Sequence, residues 1–214
     1  FRYVKCGAVA LTAGSAIQSP AIVAGHQALA SFTGGEVANT LQVRVTCVST
    51  VAAGLYAEGY LISATSAGVG YTYRINSHPA VSTGAVGTFT LYADDPVQVA
   101  TAIGTTWHLY NMWNGVVQVP ITTATGTVLG IAPYVLAITQ FGWIQTWGLC
   151  GALIDASGTM AVGATIYGVC TTSGEVGQPA NVTTATVLLN QPIGVMAMAG
   201  TDKTVGAVFL RSMP

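Results

Sequence analysis

The chain has 214 residues, of which only 6% are charged, and its formal net charge is −1. Average proteins carry about 25% charged residues and disordered chains are richer still, so this composition excludes intrinsic disorder. It also argues against nucleic acid as a partner, because the six basic residues do not cluster. They are Arg2, Lys5, Arg44, Arg74, Lys203 and Arg211.

The scarcity of charge is greatest in the middle of the chain. Residues 96–154 contain no Asp, Glu, Lys or Arg. A free monomer usually keeps about 25–35% charged residues on its surface to avoid association. We therefore expect much of this surface to be covered by partners, including further copies of the chain.

The uncharged stretch does not have the pattern of a membrane-spanning helix. Such a helix needs about 20 mostly apolar residues. In the most apolar window, residues 130–154, Pro133, Gln140 and Gln145 interrupt the run, and Trp143 and Trp147 lie near its middle instead of its ends. We expect no membrane partner.

The first half of the chain reads as an extended arm followed by short strands. Residues 1–20 predict an arm whose first strand could pair with a sheet edge. High Gly, Thr, Val and Tyr content favours strands joined by tight turns. The predicted strands are 40–50, 59–64, 71–75, 87–93 and 106–120, with 59–64 and 71–75 as a hairpin. One short helix is predicted at 96–102, with Asp94 or Asp95 as its cap and Pro96 in its first turn.

The second half continues the strand pattern. In residues 141–148, alternation places Phe141, Trp143, Gln145 and Trp147 on one face. The other predicted elements are a turn at 155–158, a strand at 159–169, a polar loop at 171–184 and a hairpin of 192–199 with 204–210, its tip at 200–203.

These elements predict an all-β fold built from sandwich-like or barrel-like domains. A Thr-, Gly- and Pro-rich run at 119–127 marks the expected boundary. The predicted organisation is an arm at 1–20, an N-terminal β-domain at 21–120 and a C-terminal β-domain at 121–214.

No pattern in the sequence indicates catalysis, a metal or a cofactor. The four cysteines, at 6, 47, 150 and 170, include no C-x-x-C pair, so buried thiols are favoured, with disulfides as the alternative. His26, His78 and His108 lie in unrelated contexts, and no G-x-S-x-G motif occurs. The adjacent acids Asp94 and Asp95 point opposite ways on an extended chain.

The aromatic residues are the remaining candidates for function. Trp and Tyr fill β cores, but they are also enriched at subunit interfaces and on carbohydrate-stacking surfaces. We interpret a set of them as partner-interface residues, with a sugar platform as the alternative. The set is Phe1, Tyr3, Trp107, Trp113, Phe141, Trp143 and Trp147.

Three segments carry a family resemblance: "FGWIQTWG", "AVGATIYG" and "QPIGVMAMAGTDKTVGAVFL". They resemble the C-terminal β-domain of head decoration (cement) proteins of tailed bacteriophages, and "GYLISATSAGVGYTYRI … GTFTLYADDP" is similar to the middle of such proteins. The resemblance implies a tulip-like or barrel-like C-terminal domain and a virion location on the outer capsid surface.

The partners implied by the resemblance are the major capsid protein and copies of the chain itself, as a homotrimer. Edge-strand pairing and apolar burial would stabilise the capsid without an active site. Two alternatives stay open. One is another virion role, as major capsid protein, tail tube or host-binding fibre; the other is a secreted carbohydrate-binding β-module.

Overall fold

The computed structural model describes residues 1–120, 124–155, 160–168, 172–177, 191–201 and 204–211. These residues form fifteen strands and a 3-10 turn at Ala24–His26, with no α-helix among them. The strands are β1 (Arg2–Cys6), β2 (Ala16–Gln18), β3 (Leu29–Ala30), β4 (Gln42–Thr46), β5 (Tyr60–Ser63), β6 (Thr72–Ser77), β7 (Val86–Leu91), β8 (Thr106–Tyr110), β9 (Asn114–Gln118), β10 (Val128–Ile131), β11 (Phe141–Ile144), β12 (Trp147–Leu153), β13 (Thr165–Tyr167), β14 (Pro192–Met198) and β15 (Val205–Arg211). The predicted all-β fold class is confirmed.

The chain divides into two compact units. Unit 1 combines Phe1–Ala21 with Met112–Pro214, and unit 2 is Ile22–Asn111. This division differs from the predicted boundary near residue 120, because β9 pairs with β1 and β2 and so belongs with the start of the chain. Unit 2 is thus inserted between two segments of unit 1.

The first sheet of unit 1 has the strand order β10-β2-β9-β1-β11. Its two ends meet where Gln145, the residue after β11, faces Ile131 of β10. Each backbone N–H of this pair donates to the other's carbonyl, at 2.9 Å from Ile131 and 2.8 Å from Gln145. The sheet therefore curls into a nearly closed barrel. Its interior holds Val4, Cys6, Leu11, Ile17, Val116, Leu129, Ala132, Leu136 and Ile144.

Residues 1–20 are not the predicted arm. β1 lies between β9 and β11, and Val4 and Cys6 point into the barrel. All three residues of β2 are buried. The segment is part of the core because its apolar side chains alternate with Tyr3 and Lys5, the pattern of a half-buried strand.

The second sheet of unit 1 has the order β12-β15-β14-β13. β14 and β15 pair in antiparallel fashion, which confirms the last predicted hairpin, although residues 202–203 of its tip lie outside the described part. Within the described residues 160–168 of the strand predicted at 159–169, Thr165–Tyr167 is the part that forms a strand. Residues 156–158 of the predicted turn, and most of the loop at 171–184, also lie outside the described residues.

A second core of unit 1 joins residues of both its sheets. Its members are Ala16, Val119, Val128, Ile131, Ala152, Ile154, Met160, Ile166, Val176, Ile193, Met196, Val208 and Leu210. The inner side of the four-stranded sheet is therefore buried, and its other side carries the odd-numbered residues of β12 and β15.

Unit 2 is built on one sheet with the order β3-β8-β5-β6-β7-β4. Ser31, just after β3, bridges to Val45 of β4, so this sheet also closes nearly into a barrel. The predicted hairpin is confirmed as β5 paired with β6. Its interior holds Leu29, Val43, Val45, Cys47, Val51, Tyr56, Leu61, Tyr73, Ile75, Val81, Phe89, Leu91, Val97, Trp107 and Leu109.

The prediction of a helix at 96–102 is wrong, because backbone N–H groups of this segment donate to carbonyls of residues distant in the sequence. The N–H of Val97 donates to Thr40 O at 2.9 Å, and the N–H of Thr101 donates to Glu36 O at 2.8 Å. Asp95 does not cap a helix. Its Oδ2 accepts the backbone N–H of Arg74 at 2.6 Å.

Among the described residues, no helix has the length and apolar character to cross a membrane.

Candidate interaction surface

The outer side of the β1–β11 pair carries exposed aromatic rings. Tyr3 lies opposite Trp143, and Lys5 lies opposite Phe141. The alternate positions of the two strands, Val4, Gly142 and Ile144, are on the barrel's inner side and are buried. We call Tyr3, Phe141 and Trp143, together with Phe1 just before the strand, the aromatic face. The exposed fractions are 67% for Phe1, 54% for Tyr3, 57% for Phe141 and 51% for Trp143.

The rings of the aromatic face pack on one another. The centroids of Tyr3 and Phe141 are 5.6 Å apart with 9° between the planes, an offset-stacked pair. Tyr3 and Trp143 are 5.1 Å apart at 59°. The Tyr3 ring therefore contacts both of its aromatic neighbours, one nearly parallel to it and one tilted.

One cation lies against the aromatic face, since the Lys5 Nζ is 5.6 Å from the Phe141 ring centroid. Arg2 shares its side of β1 with Val4 and Cys6 and is not part of this face. Its guanidinium lies 5.7 Å from the centroid of Trp113, whose ring packs partly buried against the barrel core. No Asp or Glu occurs in residues 1–35 or 96–154, so all five strands of this barrel lack acids.

The backbone beside the aromatic face is already bonded. The N–H of Trp143 donates to the Tyr134 hydroxyl at 2.6 Å, and Gln145 pairs with β10. The Gln145 Nε2 donates to the carbonyls of Trp147 at 3.0 Å and Leu149 at 2.9 Å. At these positions an added strand would find no free partner, so a ligand would meet side chains.

A second apolar surface lies on the outer side of the four-stranded sheet, and we call it the β12–β15 face. Leu149 pairs opposite Phe209, and Leu153 opposite Val205. Its large exposed residues are Trp147 at 50%, Leu149 at 63%, Val205 at 64% and Phe209 at 36%. The Trp147 and Phe209 rings meet edge to face at 6.0 Å.

The structure sorts the predicted interface residues into different places. Tyr3, Phe141 and Trp143 come together on the aromatic face, and Trp147 lies on the β12–β15 face. The sequence prediction missed Leu149, Val205 and Phe209. Alternation within β12 and β15 was the available signal, but their shared face depends on the pairing of two strands more than 50 residues apart.

Trp107 does not belong to the interface set. Its side chain is fully buried in the core of unit 2, at 0% exposure. Its indole Nε1–H donates to Ser31 Oγ at 2.6 Å, which satisfies its polar atom inside the barrel. A side chain with no exposed area has nothing to offer a partner, so the prediction for Trp107 is corrected.

Two histidines that are distant in sequence meet around one tyrosine in unit 2. Tyr56 OH and His26 Nδ1 are 2.5 Å apart, and the Tyr56 N–H donates to His78 Nε2 at 2.9 Å. The outer ring nitrogens lie 3.2 Å from Thr50 O for His26 Nε2 and 2.8 Å from Pro79 O for His78 Nδ1. Since carbonyls only accept, the outer nitrogen of each ring carries a proton, and the Nε2 of His78, which accepts the Tyr56 N–H, carries none.

Two members of this network, Tyr56 and His78, are held in neutral form by burial. Burial, with a smaller contribution from Cys47, raises the pKa of Tyr56 to about 12, so the hydroxyl stays protonated. Burial lowers the pKa of His78. Every polar atom of these three side chains is used within the network or on backbone carbonyls.

The described residues contain no group of three or more His, Cys, Asp or Glu placed to hold a metal ion. A cavity of about 250 Å³ in unit 1 is mostly apolar. Its lining is Ala13, Gly14, Ile131, Pro133, Gln145, Cys150, Gly151 and Val205. Cys6, Cys47 and Cys150 are free thiols, and Cys170 lies outside the described residues.

No protein-family model, curated protein or solved structure matches this chain. The resemblance to phage decoration proteins therefore stays a prediction. The features of the structure that bear on function are the two apolar faces.

Proposed function

We propose that the protein is a structural virion component that decorates and stabilises an icosahedral capsid. It would bind the major capsid protein and neighbouring copies of itself, and it would act without chemistry. One observation carries the proposal. Unit 1 exposes the aromatic face and the β12–β15 face in a chain of which only 6% is charged.

The size of the aromatic face supports binding over accidental exposure. Aromatic side chains bury about 150–250 Å² each, so four rings that are roughly half exposed present about 400–500 Å². Patches of this size on a monomer are often functional. Permanent interfaces are the apolar class, and they bury about 2,000–5,000 Å² in total, which both faces together could help to build.

A capsid also sets physical demands that an apolar contact meets. Exposed ion pairs are screened within about 8 Å at physiological salt and contribute little. Burial of apolar area does not depend on such pairs, so the apolar part of the contact would persist when the salt around a particle changes, even where a charge pair beside it is screened. Few ions and many exposed rings are the composition expected for that task.

The decisive test uses capsids stripped of this protein. We expect them to lose thermal and osmotic stability and to regain both when the purified protein is added back. Trp143→Ala should weaken this rescue, whereas Tyr71→Ala, which removes an exposed ring of unit 2, should not. Stripped capsids of unchanged stability contradict the proposal.

A glycan array tests the main alternative with the same variants. Glycan binding by the wild type that disappears in Trp143→Ala, but not in Tyr71→Ala, favours a carbohydrate-binding module instead.

A further inference from the structure

We propose that the aromatic face binds an acid-bearing protein surface, in which a carboxylate lies beside an apolar centre, and that Lys5 selects it. The inference rests on the proposed function and names the chemistry of the capsid surface that this face would meet. It is carried by the placement of Lys5 against the Phe141 ring and by the absence of acids in the strands of the barrel.

The first step concerns the bonding of the Lys5 ammonium. Among the described residues the salt bridge is between Arg44 and Glu36, and it lies in unit 2. Lys5 is placed over the Phe141 ring. A ring face attracts a cation, but it accepts few of the three donors of an ammonium, so the others are open to water or to a partner's carboxylate.

The second step concerns what burial would do to Lys5. Its Nζ lies 5.6 Å from the Phe141 centroid, so a partner that covers the ring also removes water from the ammonium. Burying an unpaired charge is costly. A partner that brings a carboxylate to Lys5 avoids this penalty, and a purely apolar partner does not. The face therefore discriminates between protein surfaces by charge.

The same chemistry disfavours two other occupants. Two copies meeting through this face about a two-fold axis would each present Lys5 to a surface of the same sign, and like charges in an interface are costly. Nucleic acid would need several phosphate-binding cations and free ring faces, whereas the strands of this barrel place only Lys5 on this face and Tyr3 is stacked on Phe141.

The experiment selects partners from a random 16-residue peptide library displayed on yeast, with the purified full chain as bait. We expect the selected peptides to combine Asp or Glu with large apolar residues. Their affinity should fall between 50 and 500 mM NaCl, because salt screens the pairing. Lys5→Glu should weaken binding about tenfold, whereas Arg2→Glu, which lies on the other side of β1, should weaken it less.

Two further variants separate charge from packing. Lys5→Met keeps an apolar stem over Phe141 and removes the ammonium, so its loss should be smaller than that of Lys5→Glu. Arg211→Glu is the matched control, since it reverses a cation on the β12–β15 face, 6.0 Å from the Phe209 ring. It should leave peptide affinity unchanged.

Several results would overturn the inference. The first two are a library that yields no binding peptide and selected peptides that lack Asp and Glu. The other two are wild-type peptide affinity in Lys5→Glu and displacement of the peptide by a thirty-nucleotide oligothymidylate. Loss of self-association in Lys5→Glu with peptide binding intact would assign the face to a second copy. Stripped capsids that bind Lys5→Glu like the wild type overturn the inference alone, whereas capsids indifferent to the wild type overturn the proposed function.

Discussion

The backbone N–H of Tyr56 donates to Nε2 of His78 at 2.9 Å, and this bond requires an unprotonated ring nitrogen. The other nitrogen, Nδ1, is 2.8 Å from the Pro79 carbonyl and holds the ring's proton. A second proton would place a donor against the Tyr56 donor inside the barrel of unit 2. Burial lowers the pKa of His78, and the Pro79 bond offsets this only in part.

We predict that unit 2 loses stability as the pH falls below about 6.5. The unfolded chain takes up a proton near the ordinary histidine value of about 6.5, while the folded state resists it until a lower pH. The contribution is therefore complete above pH 6.5 and decreases by at most about 1.4 kcal/mol per pH unit for this one histidine. Hydrogen exchange of β5 to β8, followed by mass spectrometry at pH 7 and pH 5, measures it.

Two substitutions check the assignment to His78. His78→Gln should flatten the pH dependence, although it also costs stability at neutral pH. His108→Gln is the control, because His108 lies half-exposed on β8 and accepts one bond, from the Ala28 N–H at 3.1 Å. An unchanged slope in His78→Gln contradicts the prediction.

We predict that Ser31→Ala destabilises unit 2 by about 1–3 kcal/mol. The change leaves the fully buried Trp107 indole N–H without its acceptor, and an unsatisfied buried donor costs this much. Urea unfolding measures it. Trp143→Ala provides the contrast, since a half-exposed ring should cost less stability while lowering association. A Ser31→Ala protein as stable as the wild type would contradict the buried bond.

Local alternation was enough to place many strands. β5, β6 and β7 fall within two residues of the predicted ranges, because polar and apolar residues alternate there between turns. In residues 141–144 the same pattern separated the outward Phe141 and Trp143 from buried positions, but Trp147, predicted on their face, lies on the β12–β15 face. Trp107 was misplaced because an alternating strand shows that two faces differ and does not say which one is buried.

What sequence could not predict depends on contacts between distant segments. The segment of residues 1–20 becomes core only because β9, more than 100 residues later, pairs beside β1. His26 and His78 meet through Tyr56, and no spacing signals such a meeting. The helix at 96–102 had plausible capping residues, but long-range backbone bonds to Thr40 and Glu36 outweigh a local preference.

We predict that Cys6, Cys47 and Cys150 resist alkylation in the native protein. Burial raises the pKa of all three thiols, and that of Cys150 to about 12. At pH 8 only about one Cys150 thiol in ten thousand would be the reactive thiolate. Peptide mass spectrometry after iodoacetamide should find these three cysteines unmodified, and fully modified in guanidinium chloride. Rapid native labelling at any of the three would show that its site opens.

The last prediction concerns Gly130, where the barrel of unit 1 closes. A Cβ added there would lie 2.0 Å from the Gln145 carbonyl oxygen and 3.2 Å from the Thr146 Cα, and both atoms belong to backbone. Backbone cannot move aside as a flexible side chain can. Gly130→Ala must therefore separate β10 from Gln145 and strain the paired bonds of Ile131.

We expect Gly130→Ala to lower the free energy of unfolding by about 2–4 kcal/mol, the sum of overpacking and two weakened hydrogen bonds. Gly163→Ala is the control in the same unit. It has a φ of +83° but open space around the added Cβ, so only backbone strain of about 1–2 kcal/mol applies. Equal losses in the two variants would mean that β10 and Gln145 are not in close contact. A larger loss of stability in Gly130→Ala, with faster hydrogen exchange at β10 and Gln145, supports the closure of the barrel through this pair. The same closure fixes the start of β12 and hence the position of Trp147.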